Sequence, residues 1–343
     1  MNKITITTPD DWHLHVRSGA LLQAVITHTA KRFKRAIIMP NLNPPITTVE
    51  QALLYRNEIL HALPQRSEFN PLMTLYLTDT TSAEEIHKAA DCEHIQGIKL
   101  YPSGATTNSQ SGISQLEKTF PLLDAMQRHS IPLLIHGEVT DNDIDIFDRE
   151  KIFIDRHLTT LTQEFPNLRI ILEHITTKEA VHFIQEQSTH IAATITPQHL
   201  MFNRNAFLVG GIKPHNYCLP VIKRETHRQA LLAAATSGNP KFFLGTDSAP
   251  HPKHRKESSC GCAGCFSAHA AIEFYTEIFE QAGALNKLEG FASHFGADFY
   301  RLPRNQSSLS LVKESWIIPA NYPAGNDEII PLNAEGLCTW KAL

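Results

Sequence analysis

Short apolar runs recur along this chain at intervals that leave room for a helix between them. KITIT (3–7), RAIIMP (35–40), LMTLYL (72–77) and GIKLY (97–101) read as strands. So do PLLIHG (132–137), RIILEH (169–174), IAATIT (191–196) and KFFLGTD (241–247). Several are unbroken rather than alternating, as parallel strands covered on both faces should be. Between them, a Ser or Thr followed three residues later by Glu or Gln marks helix starts, because such pairs satisfy the free N–H groups of a first turn. Thr48 with Gln51, Ser82 with Glu85, Ser114 with Glu117 and Thr176 with Glu179 fit the pattern. After Ser114, the residues Leu116, Phe120 and Leu123 recur at helical spacing, as a face packed on a sheet requires. Eight strands with helices between them predict an α/β fold, a (β/α)8 barrel of the TIM type. An open, doubly wound sheet is the alternative, but no glycine-rich dinucleotide loop follows the first strand. From about residue 302 the helix rhythm is lost and strand-like pieces such as ESWIIPA appear. Residues 1–343 are therefore expected to form one barrel domain, with that C-terminal stretch packed on it as an extension too small to fold alone.

Composition removes several functions from consideration. The 343 residues are 42% hydrophobic and 19% charged, as in an ordinary globular protein. A net charge of −4 without any block of like charge gives no field for nucleic acid. The longest apolar runs, AIIM and PLLI, are far too short to span a bilayer, so no membrane partner is expected. The N-terminal MNKITITTPDDW has no apolar core of a signal peptide. Three of the six cysteines crowd into CGCAGC, a spacing that suits a reducing cytoplasm better than a disulfide framework.

In a barrel enzyme, chemistry sits where the strands end at their carboxyl face. The first strand leads into His13-Leu14-His15; on extended backbone the two imidazoles point the same way and Leu14 the other. The second strand ends at Asn41. GIKLY carries Lys99, PLLIHG ends near His136, RIILEH at His174 and KFFLGTD at Asp247. Singly, each can be ordinary: a satisfied histidine, a lysine whose stem is buried while its ammonium reaches water, an aspartate capping the next helix. With 19 histidines in the chain, one His-x-His pair means little. Together these polar groups would be costly at the end of a dry barrel unless something satisfied them. A cationic lysine among four imidazoles is also a poor metal site unless its charge is removed.

HLHVR, MPNLNPP, GIKLY, LLIHGE, LEHIT and LGTDSAPH, in this order, resemble the amidohydrolase superfamily and, within it, the short bacterial (type II) dihydroorotases. The similarity runs from residue 11 to at least residue 266, with no departure at any metal position. The resemblance implies two Zn2+ ions per subunit: one held by His13, His15 and Asp247, the other by His136 and His174. Lys99, carboxylated on its ε-nitrogen to an anionic carbamate, would bridge them, which removes the electrostatic objection. Imidazole and carboxylate oxygens suit zinc, and open positions suit catalysis. The implied reaction is the reversible cyclisation of N-carbamoyl-L-aspartate to L-dihydroorotate plus water in pyrimidine biosynthesis. In it a bridging hydroxide attacks the ring amide carbon, while Asp247 acts as general base and then general acid. The family also implies a cytoplasmic homodimer whose partner is this small substrate.

The substrate's carboxylate needs donors. Arg17, on the same face as His13 and His15 if the extension continues, offers a bidentate fork; by the resemblance, Asn41 and His251 join it, and backbone groups at Leu219 and Ala263 bind the ring. The loop SGATTNSQSG (103–112) is small, polar and glycine-bearing, hence expected to be mobile. In the family it closes over the substrate, with Thr106 and Thr107 as contacts. The loop KESSCGCAGCFSA (256–268) admits two readings. In one, Cys260, Cys262 and Cys265, with His254 or His269, form a structural zinc site, but C-x-C-x2-C lacks well-separated pairs. In the other, its small residues let the backbone approach the ligand closely. Two other functions compete: a hydantoinase, against which Arg17 and Asn41 argue, and a non-catalytic scaffold, against which the intact metal positions argue.

Overall fold

In the computed structural model, which describes residues 2–343, the chain opens with β1 (Lys3–Thr7) and then enters a cylinder of eight strands. These are β2 (Asp10–Leu14), β3 (Arg35–Ile38), β4 (Asn70–Tyr76), β5 (Ile95–Leu100), β6 (Leu133–Ile135), β7 (Ile170–Leu172), β8 (Ile191–Ile195) and β9 (Phe242–Leu244). They pair in sequence order and all in parallel. Helices connect them, so both faces are covered and the apolar runs go unbroken. The cylinder closes just beyond its last strand. Leu14 bridges Ser248 in parallel, the Asp247 N–H donates to the His13 carbonyl at 2.9 Å, and the His15 N–H donates to the Ser248 carbonyl at 3.0 Å.

One expectation fails here. KITIT is not the first barrel strand; that place belongs to DDWHL. KITIT alternates polar and apolar residues and buries only Ile6 fully, the signature of a strand with one face in water. DDWHL is buried at every position, yet its two aspartates make it look like a loop. Their charges are matched from afar: Arg35 forks onto Asp10, Nε to Oδ1 at 3.0 Å and Nη2 to Oδ2 at 2.5 Å. Asp11 accepts from the Thr246 N–H and hydroxyl, at 2.9 and 2.6 Å, and from the His13 N–H at 3.2 Å. The pairing of β2 shifts register between Asp11 and Leu14. Trp12 can thus join the inner cluster of Ile37, Leu72, Leu134, Ile171 and Phe243, while His13 faces the mouth above it, the re-aiming that bulges perform. Tyr300 stacks on Trp12 with ring centroids 4.7 Å apart, so the helix Phe295–Tyr300 packs against this inner layer.

The helix starts follow the sequence in two cases of four. Thr48 and Gln51 form a complete capping box, and Ser82 caps its helix by accepting from the Glu85 N–H. Ser114 does not cap, because its hydroxyl and N–H both donate to Asp79; the helix starts later, with Pro121 in its first turn. Thr176 gives its hydroxyl to Glu150, and the cap moves one residue on to Thr177, which accepts from the Ala180 N–H. In the last forty residues, β10 (Ser308–Val312), β11 (Trp316–Ile317), β12 (Tyr322–Ala324), β13 (Asp327–Ile329), β14 (Leu337–Cys338) and β15 (Lys341–Ala342) follow. Strand β10 lies between β1 and β15; β11 pairs with β14, and β12 with β13, all antiparallel. Among the described residues no helix is long and apolar enough to cross a membrane.

Candidate active site

At the carboxyl end of the cylinder, a small cavity is lined by His13, His15, Arg17, Asn41, Tyr101, Thr106, Thr107, His136, His174, Leu219, Asp247 and Ala263, with Ala249 and Gly264 completing the wall. Residues from β2, β3, β5, β6, β7 and β9, or from the loops just past them, therefore converge as a barrel's geometry requires. Two of the candidate metal ligands among them sit on unusual backbone. His174 has φ of 41° and Asp247 of 45°, a left-handed conformation that a non-glycine residue holds only when its surroundings impose it. The Thr194 hydroxyl pins the His174 N–H at 2.7 Å, and the His13 carbonyl pins that of Asp247.

The donor atoms of His13, His15 and Asp247 form a tight triangle. His13 Nε2 and His15 Nε2 are 3.3 Å apart, and Asp247 Oδ1 lies 3.4 Å and 3.1 Å from them. Ligands about 2.0–2.1 Å from a tetrahedral zinc stand about 3.3–3.4 Å from each other, so the spacing fits a divalent ion. It is the one group of three His, Cys, Asp or Glu donors with that closeness among the described residues. Behind it, Glu173 Oε2 accepts from His13 Nδ1 at 2.8 Å and from the Thr194 hydroxyl at 2.5 Å. This fixes the tautomer that turns the Nε2 lone pair toward the triangle. His136 has its Nε2 engaged by Glu138 at 2.7 Å, leaving Nδ1 for any ligation. The rings of His136 and His174 are 4.8 Å apart, and those of His13 and His174 4.9 Å. Lys99, wholly buried, ends in an ammonium nitrogen with no hydrogen-bond partner, 5.0 Å from the Tyr101 ring. The Nδ1 atoms of His15 and His174 are likewise without partners. A buried site with so many unmatched polar atoms fits a bound charged group.

The electrostatics agree. Burial pushes the Lys99 amine down to about 8, against the pull of the Glu173 and Asp247 carboxylates. Burial also depresses His13, His15 and His174, His15 further through Arg17 and Lys99, and His174 further through His136 and Lys99. The imidazoles are thereby neutral, with lone pairs free. Burial raises the Asp247 carboxyl, opposed by His13 and His199.

The other half of the cavity holds the candidates for substrate binding. Arg17 does not continue the strand: its φ of 59° is left-handed, so its side chain reaches the cavity by a turn rather than by alternation. Its carbonyl is held by the Tyr55 hydroxyl at 2.5 Å, its Nε donates to the Pro250 carbonyl at 3.1 Å, and its Nη2 lies 3.0 Å from His251 Nε2. That same His251 nitrogen is 3.0 Å from the Ala263 carbonyl, and burial followed by Arg17 and Lys256 drives the ring down to about 2. Loop 103–112 folds over the cavity. Thr107 donates from its hydroxyl to the Ala263 carbonyl at 3.3 Å and accepts at its own carbonyl from Asn41 Nδ2 at 3.1 Å. Gly112 permits this path, since a Cβ there would stand 2.3 Å from the Tyr101 carbonyl.

In loop 256–268 the thiols form no metal cluster. Cys260 is exposed while Cys262 and Cys265 are buried, His254 pairs with Asp327, and no group of three donors gathers there among the described residues. Close approach of backbone is what the loop does instead. Gly264 has φ of 143°, and a Cβ on it would meet the Ala249 carbonyl at 2.5 Å. Sequence reasoning missed Tyr101, Glu173 and Glu138. Glu138 could have been found two residues past His136, at the spacing that put His15 beside His13. Glu173 could not, because its partner His13 lies 160 residues away in the chain.

The sequence matches the amidohydrolase family over residues 6–323. A dihydroorotase from Nitrosococcus oceani is 60% identical over 338 residues, 98% of each chain. A solved dihydroorotase from Saccharomyces cerevisiae, in complex with 5-fluoroorotic acid, superposes with a TM-score of 0.92 at 35% identity, covering 100% of this chain and 99% of its own. One from Campylobacter jejuni gives 0.91 at 35%, covering 99% and 97%. An L-hydantoinase from Arthrobacter aurescens shares the fold, with a TM-score of 0.80 at 16% identity over 98% of this chain and 82% of its own.

Proposed function

Because the chain belongs to the amidohydrolase family, with the dihydroorotases among its hydrolases of cyclic amides, we propose that it interconverts N-carbamoyl-L-aspartate and L-dihydroorotate plus water as a two-zinc enzyme. The observation that carries the metal half of this reading is the donor triangle of His13, His15 and Asp247 at 3.1–3.4 Å. In it, those three residues would hold one ion, His136 and His174 would hold the other, and Lys99, as its carbamate, would serve both. The neutral Lys99 nitrogen forms a bond to the carbon of carbon dioxide and releases a proton, exchanging a misplaced cation for an anion. Bound zinc would supply Lewis acidity at the amide carbonyl and lower the pKa of the attacking water.

The rest is work for the chain's own groups. Asp247 takes a proton from the attacking water and returns it to the leaving amide nitrogen. Burial raises its carboxyl, which favours taking the proton, and its protonated form assists water's departure on ring closure. Closure is therefore favoured at lower pH and hydrolysis at higher. Arg17, Asn41 and His251 bind the carboxylate; backbone at Leu219 and Ala263 holds the ring; Thr106 and Thr107 cover it and exclude water. The orotate analogue in the yeast relative, itself a carboxylate on a pyrimidine ring, favours this orientation over a hydantoinase. The reading includes a cytoplasmic homodimer, as the resemblance implies.

The test is a rate comparison with metal analysis. Zinc-loaded protein should hydrolyse dihydroorotate and leave a carboxylate-free hydantoin almost untouched, and Arg17→Met should raise KM about a hundredfold with kcat little changed. Full turnover by chelated, metal-free protein, or equal rates on both substrates, would end the proposal.

A further inference from the structure

Loop 256–268 begins with a lysine that the proposed chemistry does not use. Lys256 closes the short helix Lys253–Lys256 and is 3% exposed. Its ammonium donates to three carbonyls: Tyr217 at 2.7 Å, Cys262 at 2.9 Å and Gly264 at 2.7 Å. The ionisable groups that act on it most strongly are the thiols of Cys265, Cys218 and Cys262 and the Arg17 guanidinium, rather than a carboxylate. A buried cation without a counter-ion is expensive, and an apolar side chain would fill the same space at less cost. What the ammonium offers is geometry, because its three donors meet three acceptors.

Those acceptors belong to the two segments that wall the cavity. Cys262 and Gly264 flank Ala263, whose own carbonyl is left for His251 and Thr107. Tyr217 lies two residues before Leu219 and also accepts from the Gly264 N–H at 3.0 Å. One nitrogen thus ties the segment carrying Leu219 to the segment carrying Ala263. We infer that Lys256 is a positioning residue for the ring-binding wall, fixing Leu219 and Ala263 at the spacing the substrate ring requires and so setting affinity rather than the rate of the chemical step. This inference rests on the proposed placement of the ring between Leu219 and Ala263.

The experiment compares KM and kcat for dihydroorotate in zinc-loaded wild type, Lys256→Met and Arg17→Met, with circular dichroism and metal content measured on each. Lys256→Met should keep its metal and its fold, raise KM about tenfold, the value of one misplaced hydrogen bond to a ligand, and change kcat less than about threefold. If Lys256→Met does not fold, Lys256→Gln, which keeps two donors, takes its place with the same expected direction. A KM within about twofold of wild type in the folded variant, while Arg17→Met raises it, overturns the role of Lys256 alone. So does a loss confined to kcat. If both variants leave KM unchanged, the substrate orientation falls, and the inference falls with it.

Discussion

Replacing Lys99 with methionine isolates what the protein gives up to hold its lysine. The side chain is wholly buried, and burial takes its amine from 10.5 to about 8. At about pH 7.5 an ordinary lysine is about 0.1% neutral, whereas one at about 8 is about a quarter neutral, a gain of about two-hundred-fold in the form that reacts with carbon dioxide. The same shift is a stability statement. Between about 8 and 10.5 the unfolded chain binds the proton that the folded chain has lost. The penalty therefore grows as pH falls through that window and is complete below about 8, where it amounts to about 3 kcal/mol. Methionine fills similar space with no charge. In metal-free protein kept free of carbon dioxide, Lys99→Met should be more stable than wild type by up to that amount at pH 7 in urea unfolding, and the gap should narrow at pH 9 to 10. With zinc and bicarbonate supplied, the order should reverse: wild type gains stability and turnover, while the variant gains neither and shows no carbamate signal by 13C NMR after labelled bicarbonate. A variant less stable than metal-free wild type at pH 7, or one that binds both ions and turns over normally, refutes this role for Lys99.

Asp247→Asn should keep part of its metal but lose turnover by about a thousandfold or more, read as kcat against metal content, since the proton carrier is gone. Glu173→Gln, which weakens the hold on His13 Nδ1, should loosen zinc by about ten- to a hundredfold in competition with a chelator. His13, His15 and His174 are all held below their ordinary 6.5 by burial. The unfolded chain therefore takes up more protons than the metal-free fold as pH falls below about 6.5, and the unfolding midpoint should drop from there; a midpoint flat down to pH 5 would contradict it.

Where partners are local, the sequence is a sufficient guide. Seven barrel strands are readable because an unbroken apolar run between turn residues fits little besides a strand buried on both faces, and the capping box at Thr48 is readable because both its members lie within one turn. The eighth strand is hidden because Asp10 and Asp11 are satisfied by Arg35 and Thr246, the second 235 residues away. Ser114 and Thr176 fail as caps for the same reason, their hydroxyls being drawn to Asp79 and Glu150 by tertiary packing. The convergence of His13, His15, His136, His174 and Asp247 on one cavity is legible as strand-end chemistry. Arg17 reaches that cavity by a left-handed turn that alternation does not foresee, and no local signal announces the clamp at Lys256.

The seam between β9 and β2 shows why these exceptions cluster. It is closed not by a long ladder but by Leu14 with Ser248 and by backbone bonds from Asp247 and His15, so the residues that complete the cylinder also aim the donor triangle. Strain collects at the same place. The left-handed His174 and Asp247 cost on the order of 1–3 kcal/mol each, and the buried Lys99 amine adds a similar amount. Against that stands a chain of short hydrogen bonds running from Thr194 through Glu173 to His13, and from Asp11 to Thr246. These hold the conformation without relieving its charge. An arrangement that is over-determined in backbone and unsatisfied in charge is what a fold gives up in stability to keep a metal-ready site, and it is why the first-strand aspartates matter as much to the site as the histidines beside them.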